Sequence, residues 1–348
     1  MKLFFTSFLA ICFFFVAQAQ EKKNEGITYF LPKTQLKFVI TIEKSTYTPG
    51  DCAIYSDLFM KKKADENPQT TYRIVKIDMR ETAIPDSLKQ HVVAIDKKHT
   101  IFSLKLADNG VLTAINAEPK VQESEPVFVP AMKVKAIDPR NYLSADALSA
   151  GSLAKMAEVI SKDIYDLREN RKMLASGEAE YMPKDGEQLK TMLATLDKTE
   201  NALMTFFEGS VTKDTLQQVI TFTPEQNVPQ SLLFRFSKWL GLVDKDDLAG
   251  VPHYINIENL NTLPTLTTAV DGDKKAKEDI GLYVNLAGQA RISIEGEHGS
   301  MPATKVNIAQ FGRQEILSGA LFGRKFTSHL VLNPITGNIE SLTTEPLE

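Results

Sequence analysis

The stretch LAKMAEVISKDIYDLRENRKML, residues 153–174, divides the chain into its parts. Leu153, Met156, Ile160, Ile164, Leu167, Arg171 and Leu174 recur at steps of three and four, which lays them along one face of an amphipathic helix. Gly177 follows where a left-handed C-terminal stop is expected. Asp185, three residues before Gln188, predicts the N-cap of a second helix. Leu189, Met192, Leu193, Leu196, Leu203, Phe206 and Phe207 mark its apolar face, and Gly209 ends it. Two long helices joined by a short polar connection predict an antiparallel helical hairpin over residues 151–209.

Both flanks read as β-structure. Leu36, Phe38, Ile40 and Ile42 alternate with Lys37, Thr41 and Glu43, the period of a half-buried strand. Pro49-Gly50 marks a turn, and residues 53–60 read as a short helix. Thr71 to Met79 is β-rich. Residues 101–107 and 111–116 predict a hairpin through Asp108-Asn109-Gly110, with positive φ expected at both Asn109 and Gly110. Beyond Gly209, strands are expected at 215–222, 231–236, 252–257, 281–286, 290–295, 305–309, 325–332 and 338–343. The polar run 271–279 reads as a mobile loop. The resulting division is a signal peptide (1–20), an N-terminal β-rich unit (21–118), an extended connector (119–150), the helical hairpin (151–209) and a C-terminal β-rich unit (210–348). The expected fold class is α+β: two β-rich units, sandwich-like or half-barrel, flanking a long antiparallel helical hairpin.

The first twenty residues point to export. Lys2 precedes an almost wholly apolar run from Leu3 to Val16, and Ala17-Gln18-Ala19 fits the small-x-small cleavage rule. That run is shorter than the roughly 20 residues of a spanning helix. Leu9-Ala10-Ile11-Cys12 is a poor lipobox, because Ile11 occupies the place of a small residue. No second run of spanning length follows, so the mature chain is expected to carry no transmembrane segment. Cleavage would leave Cys52 as the sole cysteine, without an intrachain disulfide and expected as a buried small hydrophobe. The net charge is −4 with both signs mixed, which argues against a nucleic-acid partner, since such proteins concentrate a basic excess.

The chemistry-bearing motifs are few. His91, His99, His253, His298 and His329 show no metal-ligand spacing, and no metal or cofactor is expected. Ser152-Leu153-Ala154-Lys155 matches Ser-x-x-Lys, but no Ser-Asp-Asn or Lys-Thr-Gly accompanies it, so it reads as a helix start. Asp244-Lys245-Asp246-Asp247 lacks the glycine and distal glutamate of an EF-hand and reads as a solvated turn. Trp239, between Phe236 and Leu240, is expected in the core. The candidate binding or loop-clamping residues are Arg168, Arg171, Glu178, Asp185 and Glu200. Arg171 and Glu200 each sit on an apolar stripe, where a charge has to be paired or bound. Arg171 is expected either to tie down the loop through Glu178, Glu180 and Asp185, or to form an anion- or partner-binding spot.

Several strings together carry a resemblance: Gly26-Ile27-Thr28-Tyr29-Phe30-Leu31-Pro32-Lys33-Thr34, Tyr47-Thr48-Pro49-Gly50, and the hairpin residues Arg168, Arg171, Leu174, Gly177-Glu178, Pro183, Asp185-Gly186, Leu189 and Phe206 to Gly209. Ala309-Gln310-Phe311-Gly312 and Asn333-Pro334-Ile335-Thr336-Gly337 complete the set. The mature chain resembles a secreted Bacteroidetes family described as domain of unknown function 4831. Asp51-Cys52 departs from the pattern after Pro49-Gly50, where a proline or aromatic is expected. The resemblance implies an envelope location and one shared architecture, and it implies no activity.

The expected function is that of an exported envelope protein, periplasmic or associated with the outer membrane, which binds or scaffolds without catalysis. Its expected partner is another envelope protein or a glycan. The alternative is an exported hydrolase acting on glycans or peptides, which would need two carboxylates facing each other in a cleft. Export predicts a mature protein that begins at Gln20 or Glu21, read by N-terminal sequencing of protein from fractionated cells; an intact Met1 would refute cleavage.

Overall fold

The computed structural model describes residues 26–94, 99–121, 127–130, 138–183, 185–263 and 279–346. These residues form a strand-rich structure with several sheets and a few helices. The strands are β1 (Gly26–Thr48), β2 (Gln69–Ala94), β3 (Leu104–Leu106), β4 (Leu112–Ile115), β5 (Ser210–Phe222) and β6 (Val228–Ser237). They continue as β7 (Gly241–Val243), β8 (Val251–Asn259), β9 (Asp279–Glu295), β10 (Met301–Ser318), β11 (Phe326–Leu332) and β12 (Ile339–Pro346). The helices are α1 (Ser56–Met60), α2 (Ala145–Leu148), α3 (Leu153–Ser176) and α4 (Gly186–Glu208). Three sheets run in the orders β2-β1-β5, β10-β9-β8-β6-β7 and β12-β11-β4-β3.

The expected alternation at Leu36, Phe38, Ile40 and Ile42 is present, and all four are buried. Before Pro32 the buried residues of β1 are Tyr29 and Leu31, which are odd positions. The phase changes across Pro32, at an irregularity where Phe30 faces Gln90 but Pro32 faces Pro85. Side chains alternate with a period of two, so the odd and even positions lie on opposite faces of the strand, and each face buries its own set. Leu36 to Ile42 therefore enter one core, with residues of β2, β6, β8, β9 and β10. Tyr29 and Leu31 enter another, with Val93, Leu112, Ile115, Leu330 and the start of β9. On β2 a second bulge, between the pairs Thr41–Lys76 and Ile42–Ile74, turns Val75 outward and keeps Ile74 and Ile77 on the buried face. Full burial of each such side chain contributes about 1.5–3 kcal/mol.

The two β-rich stretches of the sequence do not each close a sheet of their own. β1 pairs with β5 from Leu36–Phe222 to Thr48–Ser210, and β4 pairs with β11. A strand centre needs a partner on each side, and for β1 the second partner lies beyond the helical hairpin. The expected strands at 281–286 and 290–295 are one strand, β9, which reaches both cores through Leu282 and Val284 and through Ile292 and Ile294.

Polar side chains close the seam between the cores. Thr34 N–H donates to Gln310 Oε1 at 2.9 Å, and Gln310 Nε2 donates to Thr34 O at 2.7 Å, so one amide side chain imitates a ladder pair. Thr34 Oγ1 accepts from Ala309 N at 3.0 Å. Asn285 Nδ2 donates to Pro32 O and Thr336 O, each at 3.1 Å. Thr34 and Asn285 are buried, and buried polar groups of this kind require such partners. Next to the seam, a Cβ added to Gly312 would lie 1.8 Å from Leu286 O, so only glycine lets β9 and β10 approach there.

Other expectations need correction. The turn after Asp108 has positive φ at Gly110 (81°) but not at Asn109, and a bond from Gly110 N–H to Ala107 O closes it. The connector 119–150 is not wholly extended, since Pro139–Tyr142 is a 3₁₀ turn and α2 follows. Residues 122–126 and 131–137 of that connector, the expected signal peptide and nearly all of the expected loop 271–279 lie outside the described residues. Trp239 is 56% exposed, because it occupies the tight β6–β7 turn, while Phe236 takes the inward position.

His253 lies fully inside the larger core, stacked on Phe234 with ring centroids 4.4 Å apart. Burial, aided by repulsion from His298, pulls its pKa below the ordinary value of 6.5. The folded state thus keeps the ring neutral where the unfolded chain binds a proton. Stability from this source is full above the unfolded pKa and falls as pH drops through the window between the two pKa values. The urea-unfolding midpoint is expected to fall from about pH 7.5 to about pH 5.5, and His253→Phe to flatten that fall. An unchanged slope in the variant would count against it.

Candidate functional site

Local signals build the helical hairpin as expected. Ser152 is the N-cap of α3, its hydroxyl accepting from Lys155 N–H at 3.2 Å, which accounts for the Ser-x-x-Lys string. Lys155 pairs with exposed Glu158 at 3.1 Å. Gly177 ends α3 at φ 80°, Asp185 caps α4 by accepting from Glu187 N–H, and Gly209 ends α4 at φ 75°.

The base of the hairpin is anchored by apolar contact. Ala157, Ile160 and Ile164 of α3 meet Leu203, Phe206 and Phe207 of α4, with Ala147 and Cys52 in the same cluster. Burial, with Asp51 nearby, pushes the Cys52 thiol up to about 11, so it is a protonated packing group rather than a nucleophile. Cys52 N–H donates to Phe206 O at 2.7 Å. A Cβ on Gly50 would lie 2.2 Å from that same oxygen, which explains glycine after Pro49.

Towards the free end the apolar core gives way to charge. Arg168 Nε donates to Glu200 Oε1 at 2.6 Å. Arg171 Nη1 donates to Asp197 Oδ1 at 2.6 Å and lies 2.8 Å from Glu200 Oε2. Glu200 is buried and receives both guanidinium groups. Arg171 therefore joins α3 to α4, and does not bind the loop carboxylates expected as its partners. The loop carboxylates are closer in sequence, yet the antiparallel packing places Asp197 and Glu200 across from Arg171. Glu178 instead borders a groove, and Asp185 caps α4.

That groove, of about 720 Å³, lies beyond the ion cluster between the last turns of α3, the loop and the first turns of α4. Met173, Leu174, Tyr181, Met192 and Leu196 supply its apolar surface, with Glu178 and Glu180 also along it. Thr191 and Thr195 on its α4 side return their hydroxyls to the carbonyls of Glu187 and Thr191, which leaves little free polarity there. Tyr181 is 82% exposed. Sequence periodicity misses Met173 and Tyr181, which lie off the helical stripes; an apolar Tyr181-Met182 pair inside a polar loop is the signal that marks them.

Among the described residues, no group of three or more His, Cys, Asp or Glu could hold a metal ion, and no helix is long and apolar enough to cross a membrane. A family model described as a domain of unknown function, DUF4831, matches residues 25–340. The chain belongs to this family. No curated protein and no solved structure matches it. In this DUF4831 chain some of the strings that carry the resemblance meet at joints. Thr34, Gln310 and Thr336 meet at the seam of the cores, and Gly50 meets Phe206 at the base of the hairpin.

The ion cluster should matter for stability. Glu200→Ala leaves two guanidinium groups without their shared acceptor and is expected to destabilise by about 1–3 kcal/mol, measured by urea unfolding. An unchanged midpoint would mean that the helices are held by the apolar base alone.

Proposed function

We propose that this is an exported, non-enzymatic binding or scaffold protein of the cell envelope, and that the free end of the helical hairpin is its working surface. The observation that carries this reading is the groove of about 720 Å³, an apolar surface left open on a pair of helices anchored at one end and clamped by ions in the middle. Exposed apolar surface held on a stiff support is characteristic of partner sites. Methionine and tyrosine suit such a site, since one adapts in shape and the other offers a large, rigid contact. Glu178 and Glu180 favour a partner segment that carries basic residues beside an apolar anchor. The occupant is therefore a segment of another envelope protein.

The finer arrangement belongs to the same proposal: a sandwich-like β body that carries the hairpin as an arm. The leader-like residues 1–20 support export. A hydrolase would need two free carboxylates facing its substrate, whereas Asp197 and Glu200, which the hairpin brings together, are both engaged by Arg171.

A photo-crosslinking amino acid placed at position 181 in living cells is expected to capture one discrete protein, and the capture to disappear in Met192→Asp protein of unchanged melting temperature. The same probe at position 248, where Leu248 is 83% exposed, serves as the control. Equal capture from both positions, or capture that survives Met192→Asp, would refute the hairpin as the working surface.

A further inference from the structure

At the edge of the larger core, four segments distant in sequence enclose a cleft of about 460 Å³. β1 contributes Glu43, β2 contributes Tyr72 and Arg73, the β6–β7 turn contributes Lys238, and the β9–β10 turn contributes Glu297 and His298. The floor is apolar and firm: Ile74 and Phe236 are core residues, and the His298 ring meets Phe236 edge-on at 6.2 Å. The β6–β7 turn is fixed in place, because Tyr72 N–H donates to Lys238 O at 2.7 Å. Gly241, at φ 79°, packs closely on the Tyr72 ring.

Trp239, the single tryptophan of the chain, follows Lys238 in the same β6–β7 turn. The ammonium of Lys238, a residue that lines the cleft, lies 5.2 Å from its ring centroid, and the indole is 56% exposed. Such a large apolar ring loses hydrophobic stabilisation when it is left in water. The polar groups that line the cleft are of both kinds. Glu43 and Glu297 accept, while Arg73 and Lys238 donate. Arg73 and Lys213 hold Glu43, at 3.2 and 3.4 Å, so its carboxylate is fixed in position.

We infer that this cleft is a second binding site, one for a neutral oligosaccharide. A sugar ring has an apolar C–H face that stacks on an aromatic ring, and hydroxyls that each donate and accept a hydrogen bond. An exposed indole and a half-buried phenol, near charged donors and acceptors, match both features. The two acidic and two basic lining residues balance in charge, which disfavours a strongly anionic or cationic ligand. The cleft shares no residue with the hairpin groove, so it goes beyond the protein-binding role, and either site can fail without the other.

The test uses the mature protein on a glycan array that carries neutral and acidic oligosaccharides, with every hit titrated in solution by tryptophan emission, which reports on Trp239 alone. The expected result is binding to a neutral series with a shift in emission. Arg73→Ala and Trp239→Ala should each weaken that binding by about tenfold, read on the array, without a change in melting temperature. Met192→Asp in the hairpin groove should leave it unaltered. Absence of any neutral hit, binding to acidic glycans alone, or binding indifferent to both cleft variants would overturn the inference.

Discussion

The phase change at Pro32 is the constraint from which the rest of the architecture follows. A strand that buried the same face along its whole length would serve one core. By changing face, β1 serves two, and with 23 residues it spans about 75 Å of extended chain at about 3.3 Å per residue. β2 follows it along nearly all of that length, and β9 likewise reaches both cores from another sheet. The irregular step costs ladder bonds at the point where the cores meet. Thr34, Gln310 and Asn285 restore them with side-chain amides and a hydroxyl. The seam is therefore polar and specific, while the cores on either side are apolar and bear most of the stability.

This β body gives a fixed base to two surfaces. The helical hairpin leaves it through Gly209, directly before β5, so the central sheet and the end of α4 are one continuous piece of chain. Its apolar base is shared with α2 and the Cys52 segment, its middle is ionic, and its end is open. The order is physically sensible, since ion pairs half open to water fix helix register without the cohesion of a core. The cleft beside Trp239 is built differently, from the ends of strands whose pairing already fixes their positions. One surface, at the end of α3 and α4, carries adaptable side chains, and the other is an edge of paired strands.

Much of the local structure was legible in the sequence. The caps at Ser152, Gly177, Asp185 and Gly209 act within one helical turn, so residue type and spacing were enough to place both helices. Alternation at Leu36 to Ile42 revealed a buried strand for the same reason. The partner of that strand was not legible, because Val39 pairs with Val219 through a register that no local pattern encodes. Arg171 was rightly read as a charge in need of partners, but those partners depend on how two helices face each other. Trp239 departs from its expected place in the core because its sequence neighbour Phe236 is buried while the tight turn carries the indole outward. The groove and the cleft were not legible as surfaces, although Glu178 of the groove stood among the candidate binding residues, since each is assembled only when its segments meet in the fold.

The central claim is that β1 binds two cores into one cooperative body from which the hairpin end opens independently. Native-state hydrogen exchange, resolved along the chain and followed across increasing urea, tests it most directly. The account predicts that amides near Tyr29 and those near Phe38 exchange through the same global opening, while residues 170–196 exchange through a smaller local one. Separate openings for the two halves of β1, or a hairpin end as protected as β1, would contradict it.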